Sequence, residues 1–139
     1  PSPWKTQMYV KRILDEEYSD GPGGLSGNDD AGQMSAWYVF AALGFYPLDP
    51  VSPYYQLTAP RFDQVTIQLS NGKKMEIIAH KQSEKSSYIK AIKLNGKPYS
   101  KNYVNHHSLV AGGRLEFYLQ DLPNKNWAVQ AKDQVTGLK

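Results

Sequence analysis

The sequence predicts an α+β protein, with an N-terminal helical pair followed by an antiparallel β-sandwich-like unit. Three observations predict this. Apolar residues recur at helical spacing over Trp4–Tyr18 and Gln33–Phe45, and the period changes to two from Phe62 onward. Pro47, Pro50, Pro53 and Pro60 separate the two regimes. Turn signals then punctuate the second regime at Ser70-Asn71-Gly72, Asn95-Gly96 and Ala111-Gly112-Gly113, as in an antiparallel sandwich. The expected organisation is terminal helices over 1–46, a Pro-rich linker over 47–60 and a β unit over 61–139.

The first helix is expected over Trp4–Tyr18. Pro3 suits a first turn and Ser2 an N-cap. Trp4 with Met8, Tyr9 with Ile13, and Val10 with Leu14 share faces four residues apart. Asp15, Glu16 and Glu17 crowd the C-terminal turn, where the helix dipole disfavours anions, so fraying is expected before Ser19-Asp20-Gly21-Pro22. Gly21–Asp30 has glycines, a proline and no apolar period. It reads either as a helix–helix connection or as a loop whose backbone approaches a ligand closely.

The second helix is expected over Gln33–Phe45, with Gly44 as the residue that ends it and Pro47 preventing continuation. Its apolar positions cover nearly the whole circumference at ~100° per residue. A helix apolar all round is buried all round. One preceding helix and a β unit cover only part of it, so further helices from a longer parent are expected. The chain also begins at Pro1 without Met, and is expected to be processed or excised from something longer.

A short strand is expected at Tyr54–Thr58. Val65, Ile67 and Leu69 then alternate with polar residues, as do Met75, Ile77 and Ala79. A two-residue Asn-Gly loop would set Ile67 opposite Glu76. A three-residue loop with left-handed Gly72 sets Ile67 opposite Met75 and Val65 opposite Ile77, which matches the faces. At Asn95-Gly96 a two-residue turn pairs Ile92 with Tyr99 and Leu94 with Lys97. The last clear strand is Arg114–Leu119, and Trp127–Gln130 is expected to add another.

Composition narrows the function classes. The chain has 139 residues, 16 Lys and Arg against 13 Asp and Glu, and a formal charge of +3. The basic residues are scattered, so no nucleic-acid footprint is expected. No apolar run approaches the ~20 residues that span a bilayer, and no basic segment followed by an apolar one marks a signal peptide. The absence of cysteine removes disulfides, thiol nucleophiles and cysteine zinc sites.

Asp29 and Asp30 are the leading chemical candidates, since paired carboxylates serve acid/base work and bind hard cations. Asp30 is also a candidate N-cap, forming a capping box with Gln33, and Asp29 could simply face solvent. Asn28 and Gln33 flank the pair as candidate substrate-binding residues, with amides suited to sugar hydroxyls or calcium. Trp37, Tyr38 and Tyr46 are stacking candidates, with core packing the simpler reading of Trp37 and Tyr38. His80, His106 and His107 read better as exposed strand or loop residues than as metal ligands. No strand precedes the glycines as a nucleotide fold requires, and no His stands at triad spacing from Ser26 or Ser35.

Gly24–Tyr38, GLSGNDDAGQMSAWY, with Ala42–Pro47, ALGFYP, resembles the signature of glycoside hydrolase family 92, the calcium-dependent exo-α-mannosidases. Leu94–Lys97, His107–Gly113 and Pro123-Asn124 with Trp127 match more loosely. The resemblance implies that this chain is a C-terminal fragment holding the end of an (α/α)6 barrel and the closing β unit. It implies an inverting mechanism on mannose-containing glycans, a calcium cofactor, and a periplasmic or secreted location. It carries the general-base aspartate onto Asp30, with Asp29 at the intervening acidic position. Asn28 stands where some members have a second aspartate. The family's acid glutamate lies upstream, and no glutamate here sits in a matching motif. The fragment alone is therefore expected to be inactive. The alternative from another class is a non-catalytic carbohydrate-binding or capping β-sandwich, which would show exposed aromatics on one sheet face.

Overall fold

The computed structural model describes residues 2–16, 33–47, 49 and 51–134, with the side chains of residues 33–37 outside that description. The first helix, α1, spans Pro3–Glu16. The Ser2 carbonyl accepts the Lys5 and Thr6 amides at 2.9 and 3.3 Å, so the helix opens where an N-cap was expected. Its buried face is Pro3, Gln7, Val10 and Leu14, a single stripe with one polar member. The second helix, α2, spans Gln33–Leu43, two residues shorter than expected. Gly44 ends it at φ +100°, a conformation that favours glycine. The chain then reverses into β1, Phe45–Pro47, which pairs with β2, Tyr54–Leu57. Val10 and Leu14 of α1 pack on Ala41 and Tyr46.

The β unit has two sheets. The smaller holds β1, β2 and β7, Tyr103–Asn105, in that order. The larger runs β3 (Gln64–Gln68), β4 (Lys74–Lys81), β8 (Gly113–Gln120), β5 (Tyr88–Leu94) and β6 (Lys97–Tyr99). Both foreseen hairpins are present. Val65 faces Ile77, Ile67 faces Met75, and Gly72 sits at φ +82°. Ile92 faces Tyr99 and Leu94 faces Lys97, with Asn95 and Gly96 at φ 52° and 79°.

One ladder departs from the expected antiparallel pairing. β4 and β8 are parallel, with Ile77 beside Leu115 and Ala79 beside Phe117. Two-residue alternation specifies which face a side chain takes but not the direction of the neighbouring strand. Direction is decided by the connection, and the whole of β5, β6 and β7 intervenes, long enough for a parallel return. Two further departures are local. A five-residue helix, α3, fills His106–Val110, where Asn105 caps it by accepting the His107 amide at 2.7 Å. Trp127–Gln130 is a turn with Ala128 at φ 51°, not a strand.

The core lies between the sheets. Phe45, Leu57 and Val104 of the small sheet meet Ile77, Ile92, Leu115 and Phe117 of the large one, and Trp127 joins the same cluster. Each fully buried side chain of this size contributes about 1.5–3 kcal/mol against the entropy of ordering the chain.

Candidate active site and its frame

Asn28, Asp29 and Asp30 lie outside the described residues, as does the expected capping bond from Asp30. Gln33 is the first residue of α2, its side chain likewise outside. What is described is the frame that carries them: the exit of α1, the body of α2, and the segment that ties both to the β unit.

Three groups build that frame. Gln7 is 2% exposed on the apolar stripe of α1. Its Oε1 accepts the Ile89 amide of β5 at 2.6 Å, and its Nε2 donates to the Pro3 carbonyl at 3.3 Å. Ile89 adjoins a register shift in the β5–β8 ladder, and its amide turns to the helix instead. Gly44 accepts the Thr58 amide at 2.9 Å, fixing the end of α2 against the β unit. Arg61 Nη1 donates to Asp15 Oδ1 at 2.6 Å, and Lys11 bonds the other Asp15 oxygen. Partial burial pushes the Asp15 carboxyl up, but the bonds and charges of Lys11 and Arg61 outweigh it and hold the group below the usual carboxylate range. Gln7, Lys11, Asp15, Thr58 and Arg61 line a cleft of about 180 Å³ between α1, Thr58–Arg61 and Lys81–Ser87.

The other candidates divide. Tyr46 is 9% exposed and in the helix core, and burial pushes its phenol up to about 12, so it packs rather than stacks on a ligand. Tyr38 packs against the same cluster, as its spacing suggested. His80 bonds Glu116 at 2.8 Å and His106 bonds the Tyr55 hydroxyl at 2.8 Å, on separate parts of the sandwich. Among the described residues no three His, Asp or Glu side chains group to hold a metal. No helix among them is long and apolar enough to cross a membrane.

On the outer face of the larger sheet the Tyr118 ring is covered by its neighbours. Tyr118 lies 4.6 Å from His80 on one flanking strand, and the Lys93 ammonium of the other stands 5.4 Å over its ring. Trp4 is likewise covered by Lys5 and Lys125, at 5.6 and 5.5 Å.

Sequence reasoning missed Gln7 and Arg61. Gln7 left a signal, a polar residue inside the stripe of Pro3, Val10 and Leu14. Arg61 left only an indirect one, an anion at Asp15 where a helix end disfavours it.

A helical pair packs on a two-sheet sandwich, and an acidic, glycine-rich stretch of sequence lies between the two helices. Residues 1–121 match the glycosyl hydrolase family 92 catalytic domain, and the chain belongs to that family. It is similar to the structure of a family GH92 α-mannosidase from Bacteroides thetaiotaomicron, at 41% identity and TM-score 0.88 over 94% of this chain. It is also similar to an inverting mannosidase of that family from the same organism, at 38% identity and TM-score 0.87 over 96% of this chain. An uncharacterized secreted glycosidase of Arthroderma benhamiae is 32% identical over 76% of this chain. The chain spans 18% of the length of each bacterial structure and 14% of the fungal protein.

Proposed function

We propose that this chain is the C-terminal part of an inverting exo-α-mannosidase, and that Asp30 is its general base. The observation that carries the reading is the combination of the Gly24–Tyr38 motif with 41% identity and a TM-score of 0.88 to a family GH92 α-mannosidase. Asp30 takes a proton from water as that water forms a bond to the anomeric carbon. The bond from that carbon to the glycosidic oxygen breaks on the opposite face. The departing oxygen takes its proton from an acid carboxyl elsewhere in the polypeptide, and the pair stands ~6.5–9.5 Å apart to admit the water. Asp29 adds negative charge beside the base. Asn28 and Gln33 carry amides that both donate to and accept from sugar hydroxyls.

The exposed apolar surface supports a place within a larger helical assembly. Tyr9 and Ile13 of α1 are 55% and 39% exposed, and Val39 and Phe40 of α2 are 55% and 36% exposed. In this reading the helices within residues 1–46 close a helical barrel whose other helices come from the rest of the polypeptide, and 61–139 form most of the closing β unit, to which the end of the helical part and the 47–60 linker add β1 and β2. Lacking the acid, the isolated chain is inactive.

Calcium enters as the cofactor that family membership implies. Asn28, Asp29, Asp30 and Gln33 are all oxygen donors, the chemistry calcium takes. Among the described residues no three His, Asp or Glu side chains gather to hold it. The secreted fungal relative supports a periplasmic or secreted location.

The test is Asp30→Asn in the full-length enzyme. Turnover of an α-mannoside should fall by about 10²–10⁴ with circular dichroism unchanged. Near-normal turnover refutes the assignment.

A further inference from the structure

Among the described residues, β1 and β7 form the edges of the smaller sheet and β3 and β6 those of the larger. An edge strand presents unpaired amides and carbonyls on which another strand can build, and proteins blunt such edges with brevity, lysine or proline. β1 is short and ends at Pro47, β6 is Lys97-Pro98-Tyr99, and β7 is a short strand that runs straight into α3. β3 has none of these devices. It is the longest of the four edges, Gln64-Val65-Thr66-Ile67-Gln68, with no charge and no proline.

The hairpin fixes which of its groups are free. The Asp63 carbonyl accepts the Ala79 amide at 2.8 Å, and the Leu69 amide donates to the Lys73 carbonyl at 2.9 Å. Antiparallel pairs alternate between hydrogen-bonded and non-bonded. In the register of Val65 with Ile77 and Ile67 with Met75, the odd-numbered residues therefore bond β4. The amides and carbonyls of Gln64, Thr66 and Gln68 point instead to the open edge. Their side chains are exposed, while Val65 and Ile67 are half-buried on the opposite face.

This strand reads the same in both directions by residue type. Turned antiparallel about Thr66, a second copy sets Thr66 against its own counterpart, Gln64 against Gln68 and Val65 against Ile67. The outward-pointing residues of the two copies then meet as hydrogen-bonded pairs, each exchanging both of its bonds. Threonine pairs, β-branched pairs and glutamine ladders all favour such a contact. With no charge in the strand, no like charges face each other within it.

We propose that β3 is an interface, through which two copies of this protein join their five-stranded sheets about a two-fold axis at Thr66. The contact is isologous and closes at two subunits. An edge this short falls well below the ~1,600 Å² of a standard interface, so the association is reversible and depends on concentration. It stands apart from the reading of Asp30.

The test is sedimentation equilibrium of the full-length protein across a concentration series of about a thousandfold, with hydrogen exchange at its two ends. Dimer should appear as concentration rises, and exchange at the Gln64, Thr66 and Gln68 amides should slow by about tenfold with it. Because residue 66 meets itself, Thr66→Lys and Thr66→Glu should each weaken association by at least about tenfold. An equimolar mixture of the two should associate within about threefold of the unaltered protein. Thr66→Pro removes an N–H that serves no bond to β4 and should abolish association. Circular dichroism should be unchanged in these variants; if proline alters the fold, the lysine and glutamate variants decide. A monomer throughout, a dimer indifferent to charge at position 66, or a mixture no tighter than its components overturns the proposal. So does protection of the Gln64, Thr66 and Gln68 amides in the dilute monomer, which would mean that a segment of the longer polypeptide occupies the edge.

Discussion

Replacing Gln7 with methionine isolates one hydrogen bond between the helices and the sheet. Gln7 is 2% exposed and Ile89 fully buried, and the bond between them is 2.6 Å long. Methionine has similar length and volume, so the space stays filled. What changes is that the Ile89 amide loses its acceptor inside the protein. A buried donor left unpaired costs about 1–3 kcal/mol, well above the ~1 kcal/mol net value of an ordinary hydrogen bond. At ~1.4 kcal/mol per factor of ten, protection of the Ile89 amide should drop roughly 5–150-fold. Hydrogen exchange resolved at β5 measures this directly, and a change under about twofold refutes the reasoning. Gln7→Ala adds unfilled space and should cost roughly 1 kcal/mol more.

Two other perturbations bear on the frame. Gly44→Ala forces a side chain onto φ +100° and brings its Cβ within 3.1 Å of the Thr58 carbonyl and 3.2 Å of Phe117 and Pro60. The strain alone should lower stability by roughly 1–3 kcal/mol, read as an earlier denaturation midpoint. Tyr46 and Tyr99 should ionise only near about 12, both raised chiefly by burial. A raised pKa means folding favours the neutral phenol. That contribution is complete below the ordinary value of ~10 and is lost as pH rises through about 12. Ultraviolet titration should show late-ionising tyrosines, one of which disappears in Tyr46→Phe.

The hairpins were legible because turn chemistry and facial alternation act within a few residues. Gly72 and Asn95-Gly96 each specify one register, and the registers Ile67 with Met75 and Ile92 with Tyr99 follow. The strand direction of β8 was not legible, because it depends on how the intervening chain returns and not on the pattern within the strand. The expected strand at Trp127 failed for a related reason. Trp127 and Ala128 are buried from a turn, and burial alone does not demand extended backbone. At the candidate site, the motif Gly24–Tyr38 pointed to the family, but nothing local announced Arg61. Its partners Asp15, Ala42 and Lys81 lie on three separate elements, and a contact over 46 residues leaves no period to read. The anion at the end of α1 was visible as a misfit. Only the fold shows what answers it.

The claim that Asp30 activates the attacking water meets its most direct test in a nucleophile that needs no activation. Proton NMR would follow an α-mannoside in azide with the full-length Asp30→Ala enzyme. The account predicts that hydrolysis all but stops, while azide, already an anion, restores cleavage and yields the β-mannosyl azide. Unimpaired release of mannose, or an azide product of α configuration, would contradict it.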